Sequence, residues 1–386
     1  MYKFILSLVP VLLATVLHGQ TDTSFTSIGT LPDTTGLSGD TTLTRDELLY
    51  ADSIARVNRE TAILQEAQGR YNSGIESFEN NRYGEAIRSF NQALELKPGF
   101  RDARYNRGCA YQKLEKYEDA VMDFSYLIDE EEEDPIDTKS LYRRGECYTS
   151  LRSLDKAKAD YQRLTELEKQ SHRPWYYLGG VLFLMNDMES ALDAFNTAID
   201  LNPDFSYSYN DRASCHRKME NHLLAIADLE RAASIDPQEP MFYNNLGSLY
   251  KKTGDASKAI SAYNRAIGVK KDYFEALNNR GTVFLEQEKY DEAISDFTEV
   301  IGMRPDYYVA YSNRGIAHFK LKNYEKALMD FNRAIEINPD YATAYLNRGI
   351  LREATRDAEG CCSDYQMAAK LGIDYAGDYF QVECEQ

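Results

Sequence analysis

The sequence predicts an all-α solenoid of consecutive antiparallel helix pairs, because one pattern of residues returns nine times along the chain. Proline recurs at Pro203, Pro237, Pro305 and Pro339, at spacings of 34, 68 and 34 residues. A small residue and a bulky residue return with the same period. Every unit has 34 residues except the second, which has 37, and the units begin at Ala67, Arg101, Thr138, His172, Ser206, Pro240, Phe274, Tyr308 and Ala342.

Four positions within the unit explain why it should form two packed helices, if its residues are numbered as slots 1 to 34. Slot 8 is glycine in eight units and Ala213 in the fifth, and slot 20 is alanine in eight units and Cys361 in the ninth. Small residues at both slots let two helices approach closely. Slot 24 carries the bulk, as an aromatic residue in eight units and Leu229 in the fifth. Proline at slot 32 in five units ends the second helix.

This pattern resembles the tetratricopeptide repeat family over residues 67–373. The resemblance implies a right-handed superhelical solenoid, in which a short turn near slots 15 to 18 joins the two helices of each unit. One helix pair cannot bury its apolar faces alone, so stacking of neighbouring units is expected to create a continuous core.

The N-terminal residues have the layout of an export signal. Lys3 precedes an apolar run from Phe4 to Leu17, and Gly19 offers a small residue for cleavage, which predicts a signal peptide over residues 1–19. Residues 20–44 are rich in Thr, Ser, Gly and Asp, and this composition predicts a flexible linker. We therefore expect an exported protein, periplasmic or extracellular, that is soluble after signal cleavage.

Additional helices are predicted on both sides of the repeats. Thr44 and Glu47 form a capping-box pattern that opens an N-terminal helix over residues 45–66. Beyond the last unit, apolar residues at helical spacing from Tyr375 predict a C-terminal capping helix over residues 374–386. This helix would cover the apolar face that the last unit leaves open.

Six cysteines in a chain that is expected to be exported raise the question of disulfides. Most of them fall within predicted helices at or beside small packing slots, where cysteine behaves as a small apolar residue. We expect no full disulfide framework, with one candidate bond that joins Cys384 to Cys361 or Cys362. The cysteines placed in the helix packing are Cys109, Cys147, Cys215 and Cys361.

Arginine at slot 7 and aspartate at slot 23 occur together in the same six units. Both charges are absent from the other three units, which hold Ser73 with Ser89, Leu178 with Ala194, and Leu246 with Ala262. A guanidinium group matches a carboxylate bidentately, so the pattern predicts a structural ion pair between the two helices of a unit. The alternative is that the arginines bind an anionic ligand. The predicted pairs are Arg107–Asp123, Arg144–Asp160, Arg212–Asp228, Arg280–Asp296, Arg314–Asp330 and Arg348–Asp364.

A candidate binding surface follows from the resemblance, which implies that the first helix of each unit lines a concave surface with slots 2, 5, 6, 9, 12 and 13. Slot 6 is asparagine in four successive units, at Asn245, Asn279, Asn313 and Asn347. A side-chain amide both donates and accepts hydrogen bonds, so this row predicts a surface that grips an extended peptide backbone regardless of its sequence. Asparagine is also ordinary at slot 6 of the repeat, and a structural role is the alternative.

Other residues on the same predicted surface differ along the chain. Slot 5 is Tyr71, Tyr105, Tyr142 and Tyr176 in the first four units. Tyrosine is favoured at protein interfaces, and the alternative is that these rings pack on neighbouring units. Slot 5 never holds the lysine that the chaperone-tail clamp of other family members needs. Slots 12 and 13 place a basic cluster in the middle of the chain, made of Arg217, Lys218, Lys251 and Lys252.

Composition and motifs exclude several classes of function. The formal net charge of −18 argues against binding of nucleic acid or of anionic lipid. The sequence has no glycine-rich phosphate loop and no histidine pair at metal-ligand spacing. The acidic run Asp129–Asp134 lacks the alternating ligands of a calcium loop. We therefore expect no enzymatic activity, no cofactor and no metal.

We interpret the sequence as a non-enzymatic extracytoplasmic scaffold that holds an extended segment of a partner protein in its concave surface. One alternative is a structural subunit of an envelope assembly that uses its convex surface. A less favoured alternative is a regulatory subunit of a glycan-processing complex. Direct membrane insertion is not expected, and the sequence does not predict the oligomeric state.

Overall fold

The computed structural model describes residues 44–128 and 135–377, and the chain divides into two compact bodies, Met1–Asn202 and Pro203–Gln386. In each body, consecutive helices pack against each other as antiparallel pairs, which confirms the predicted fold class. The helices of the first body are α1 Arg45–Glu79, α2 Tyr83–Leu96, α3 Arg101–Lys113, α4 Tyr117–Leu127, α5 Pro135–Ser150, α6 Leu154–Leu167, α7 His172–Leu184 and α8 Met188–Leu201. Those of the second body are α9 Ser206–Lys218, α10 His222–Ile235, α11 Pro240–Lys252, α12 Ala256–Val269, α13 Phe274–Glu286, α14 Tyr290–Met303, α15 Tyr308–Lys320, α16 Tyr324–Ile337, α17 Ala342–Ala354 and α18 Ala358–Lys370.

The turn inside each unit lies slightly earlier than predicted, because slot 15 adopts a left-handed backbone conformation. In the seventh unit, Glu288 has φ 59°, and the N–H of the next residue, Lys289, donates to the carbonyl oxygen of Phe284 at 2.9 Å. Such a turn satisfies the free carbonyls at a helix end. The first helix therefore ends at slot 13 and the second begins at slot 17, although a glycine marks the turn in only one unit. The residues at slot 15 are Asn81, Glu115, Arg152, Asn186, Glu220, Gly254, Glu288, Lys322 and Arg356.

The predicted small and bulky slots form the centre of each helix pair. A Cβ atom on Gly281 would lie 2.8 Å from Cε1 of Phe297, the slot 24 ring of the same unit, which is fully buried. The fifth unit has Ala213 at slot 8 and Leu229 at slot 24, so the larger residue on one helix faces a smaller one on the other. The close approach of the two helices therefore needs glycine only where slot 24 is aromatic.

The predicted N-terminal helix is not a separate element. The predicted helix 45–66 and the first helix of the first unit form one continuous helix, α1, of 35 residues. The predicted signal peptide and residues 20–43 of the predicted linker lie outside the described residues, as does the acidic run Asp129–Asp134.

The insertion in the second unit is followed by an early helix start. Helix α5 begins at Pro135, three residues before the start that the repeat spacing gives. Arg101, on the first helix of the second unit, donates to the carbonyl oxygen of Leu127 at 2.8 Å and to the carboxylate of Asp137. Asp137 is buried, so this contact fixes the first turn of α5 against the preceding unit.

The C-terminal cap and the cysteines are described in part. Residues 374–377 are helical, and Ala376 is buried beside Tyr365 of the last unit, whereas Tyr375 is exposed. Residues 378–386 lie outside the described residues, and with them Cys384. Cys362 is in a disulfide. Among the described residues, the buried cysteines outside any disulfide are Cys109, Cys147, Cys215 and Cys361, as expected for small apolar packing residues.

Candidate functional site

The six predicted Arg–Asp pairs are bidentate ion pairs that join the two helices of one unit. In the eighth unit, Nε and Nη2 of Arg314 donate to Oδ2 and Oδ1 of Asp330 at 2.9 and 2.7 Å. The aspartates are buried and the arginines are about one-fifth exposed. Both charged groups are therefore held within the helix packing. The edge of the guanidinium group that Asp330 occupies is not available to another anion. The other five pairs share this geometry: Arg107–Asp123, Arg144–Asp160, Arg212–Asp228, Arg280–Asp296 and Arg348–Asp364.

A third partner, which was not predicted from the sequence, links each of five arginines to the preceding unit. Nη1 of Arg280 donates to the side chain of Asn264, at slot 25 of the unit before, at 2.6 Å. The signal was in the sequence, because slot 25 is a small polar residue before every unit with the arginine. It is Gln162 or Glu230 before two of the units without it. The acceptors in the five described contacts are Asn91, Ser125, Asn264, Thr298 and Asn332.

Two of the three units without the charges bury apolar residues at the same two slots. Leu246 and Ala262 of the sixth unit are 8% and 7% exposed. Burial also raises the pKa of the Asp160 carboxyl, although Arg144 opposes this effect. The pairs are thus desolvated structural contacts that an apolar pair can replace.

Two histidines lie close to these pairs. Burial lowers the pKa of His216 and of His318, which occupy slot 11 of units that contain a pair. The Nε2 atom of His216 is 3.8 Å from the carboxylate of Asp228. Among the residues that the structure describes, no group of three or more His, Cys, Asp or Glu residues could hold a metal ion.

The predicted row of asparagines lies on consecutive first helices of the second body, and three of the four side-chain amides donate a hydrogen bond to the preceding unit. Nδ2 of Asn279 donates to Oδ1 of Asn244, the slot 5 residue of the preceding unit, at 3.0 Å. The same contact joins Asn245 to Asn210 at 2.9 Å and Asn313 to Asn278 at 3.5 Å. We call Asn245, Asn279, Asn313 and Asn347 the amide row.

Each amide of the row keeps unused hydrogen-bonding capacity. A side-chain amide has two N–H donors and one carbonyl acceptor, and the contact with slot 5 uses one donor. Asn245, Asn279 and Asn313 are partly exposed. At the end of the row, slot 5 of the preceding unit is Ser312 rather than asparagine, and Nδ2 of Asn347 is buried with no hydrogen-bond partner among the described residues.

The four tyrosines of slot 5 lie in the packing of the first body. Tyr142 and Tyr176 are 7% and 5% exposed, and the hydroxyl of Tyr142 donates to Glu168 at 2.6 Å. Tyr71 is half-buried with its ring centroid 4.9 Å from that of Phe100, and burial raises its pKa to about 12. Tyr105 packs against a core ring in the same way. The prediction of an aromatic binding surface is therefore wrong for Tyr142 and Tyr176, because their rings fill the space between helices.

The basic cluster of the middle units is partly neutralised by neighbouring residues. Nζ of Lys251 is 2.9 Å from the carboxylate of Glu286 and donates to Thr282 at 3.0 Å, both on the first helix of the next unit. Burial lowers the pKa of Arg217.

No helix among the described residues is long and apolar enough to cross a membrane.

Family models match most of the repeat region. Models described as tetratricopeptide repeat match residues 105–171, 142–205, 206–239, 242–273, 274–307 and 308–341. A model described as TPR repeat matches residues 74–115.

Two curated relatives and one solved structure illustrate the likeness. Protein unc-45 homolog B of Xenopus tropicalis is 36% identical over 101 residues, which are 25% of this chain and 11% of that protein. The Hsp70-Hsp90 organizing protein of Triticum aestivum is 23% identical over 175 residues, 42% of this chain and 30% of that protein. The matched stretches thus span less than a third of either relative. A tetratricopeptide repeat protein from Parabacteroides merdae shares the fold with a TM-score of 0.51 and 16% identity, over 64% of this chain and 98% of that one.

Proposed function

The chain belongs to the tetratricopeptide repeat family, and from that premise we propose that it is a non-enzymatic scaffold whose amide row holds an extended segment of a partner protein. Proteins of this family bind other proteins or peptides and are generally not enzymes. The wheat relative, for example, is named an Hsp70-Hsp90 organizing protein. No slot 5 lysine is present in this chain, so the partner segment that we propose is not a chaperone tail.

One observation carries the proposal, namely that three successive amides are oriented by the preceding unit. Because Nδ2 of Asn279 is fixed on Asn244, the remaining N–H and the carbonyl oxygen point to defined positions. A peptide group offers one N–H and one C=O, and the side-chain amide of Asn279 can pair with both. Side chains that are ordered before binding lose less entropy when the partner arrives. The row therefore favours an extended backbone over a folded surface or a charged ligand.

The site of action that we propose is outside the cytoplasm. The apolar run from Phe4 to Leu17 and the small residue Gly19 support export. The partner would then be a periplasmic or extracellular protein.

Substitution of one residue of the amide row is expected to weaken binding of the partner peptide by more than the accompanying loss of stability explains. The partner would be captured by crosslinking in the native envelope, and peptides tiled over its extended segments would be titrated by fluorescence anisotropy. Asn279→Ala removes two hydrogen bonds to the peptide, so its Kd should rise about tenfold. The variant also removes the contact with Asn244, and its unfolding free energy should fall by about 1 kcal/mol.

Asn106→Ala is the matched control, because Asn106 occupies the same slot and makes the same kind of contact outside the row. Its Nδ2 donates to the hydroxyl of Tyr71 at 3.0 Å. The control should lose similar stability and keep the affinity of the wild type. An equal loss of affinity in both variants, or in neither, would return the asparagines to a purely structural role.

A further inference from the structure

The N-terminal half of α1 carries an apolar seam without a partner among the described residues. The helix begins 22 residues before the first unit, and this stretch, 45–66, is about 33 Å long at 1.5 Å per residue. No described side chain in this stretch is buried, and Tyr50 is 69% exposed. An isolated helix of this length is only marginally stable in water, so an apolar face along it calls for a contact.

The seam follows a heptad repeat that continues into the core of the first unit. Its residues alternate at spacings of four and three: Tyr50, Ile54, Val57, Thr61, Leu64, Gln68, Tyr71, Ile75 and Phe78. The last three of these pack against the hydrophobic cluster of the first helix pair. The first five lie on the same side of the helix, and nothing among the described residues covers them. The helices that follow α1 therefore cover the C-terminal half of the seam, whereas no described helix covers the N-terminal half.

We propose that a second copy of this chain covers the free half, so that two α1 helices pair as a short parallel coiled coil. The heptad positions fit a two-stranded parallel pair, because the a positions are the β-branched Ile54 and Thr61 and one d position is Leu64. In this register every seam residue meets its own copy. The five layers from Tyr50 to Leu64 are then uncharged, and the pairing starts after Glu47, which occupies the a position one heptad before Ile54.

Charge along the edges of the seam permits this pairing. In a parallel pair, each g residue faces the e residue five positions later on the other copy. Asp46 then faces Ala51 and Glu60 faces Gln65, and no two like charges are opposed. Asp52, Arg59 and Glu66 lie at f positions on the opposite side of the helix, and Glu60 is 4.0 Å from Arg56 of the same copy.

The preceding residues of the same chain are a poorer occupant. Residues 20–43 are dominated by Thr, Ser, Gly and Asp and offer no apolar repeat that matches the seam. A second copy supplies the same seam by symmetry, as in most soluble oligomers. The contact is short, so a reversible dimer is expected rather than an obligate one.

Sedimentation equilibrium of the full chain, as its host expresses and processes it, tests the proposal over micromolar concentrations. The wild type should show a monomer–dimer equilibrium, and Val57→Glu with Leu64→Glu should raise the dissociation constant at least about tenfold, because four charges would enter the seam. The matched control is Leu49→Glu with Ile63→Glu, which adds the same charge on the opposite side of the same helix. Leu49 and Ile63 are 61% and 39% exposed, compared with 40% for Val57 and for Leu64.

A crosslink separates a register-specific contact from general association. Under mild oxidation, Leu64→Cys should form a disulfide-linked dimer and the neighbouring Ile63→Cys should not. Circular dichroism checks that every variant keeps its helix content. A wild type that stays monomeric, control variants that dissociate as readily as the seam variants, or equal crosslinking at both cysteines would overturn the proposal.

Discussion

Arg314→Leu is expected to destabilise the protein by about 3–5 kcal/mol, because it leaves the buried carboxylate of Asp330 without its partner. Asp330→Ala should cost less, about 2 kcal/mol. The side chain of Arg314 is 20% exposed and keeps its hydrogen bond to Thr298 at 3.1 Å, so its charge remains partly solvated. The two halves of one ion pair therefore contribute unequally to single-variant measurements.

The double variant Arg314→Leu with Asp330→Ala should recover most of the loss and lie within about 1 kcal/mol of the wild type. The chain already contains this exchange, since the sixth unit has Leu246 and Ala262 at the same slots and buries both. Urea denaturation of the wild type, the two single variants and the double variant completes the cycle. Additive losses in the double variant would show that the two charges are not coupled.

Gly281→Ala is expected to cost about 1–3 kcal/mol, because the new methyl group would overlap the ring of Phe297. That ring is fully buried, and it can move only if the helix pair separates. Phe297→Leu in the same molecule should reduce the cost of the alanine, since the fifth unit accommodates Ala213 opposite Leu229.

Gly302→Ala provides the control for the intrinsic effect of replacing glycine in a helix. Its Cβ would meet nothing within 4 Å, so the substitution should raise stability by about 0.5 kcal/mol. Thermal and urea denaturation of Gly281→Ala, Phe297→Leu, the variant that combines them, and Gly302→Ala measure both effects. A Gly281→Ala variant as stable as Gly302→Ala would contradict the packing account of slot 8.

Much of the fold could be predicted because the information is repeated nine times. The joint loss of arginine and aspartate in three units indicated the ion pairs. The recurrence of small residues at slots 8 and 20, with a bulky residue at slot 24, indicated the helix pairing. The third partner of the arginine, such as Asn264, was missed because it lies in the preceding unit. The turn position was missed for a different reason, since residues such as Glu288 adopt a left-handed conformation that their side chains do not reveal.

The candidate site was predicted less well than the fold. Residue type alone does not distinguish a tyrosine on a surface from one between helices, and Tyr142 and Tyr176 are buried. The asparagines were placed on one row by their spacing. Their orientation by slot 5 residues such as Asn244 depends on the neighbouring unit, which a slot-by-slot comparison within units does not show.

Site-specific photocrosslinking to the native partner tests most directly whether the surface of the amide row is the binding surface. A photoreactive amino acid would replace Met241 or Thr343, which lie one helical turn before Asn245 and Asn347 on the same face. Matched probes at Leu223 and Met329, which are 83% and 71% exposed on second helices, report on the other surface. The account predicts partner adducts at Met241 and Thr343 and none above background at the other two positions. Adducts concentrated at Leu223 and Met329 would contradict it and favour a subunit that assembles through its second helices.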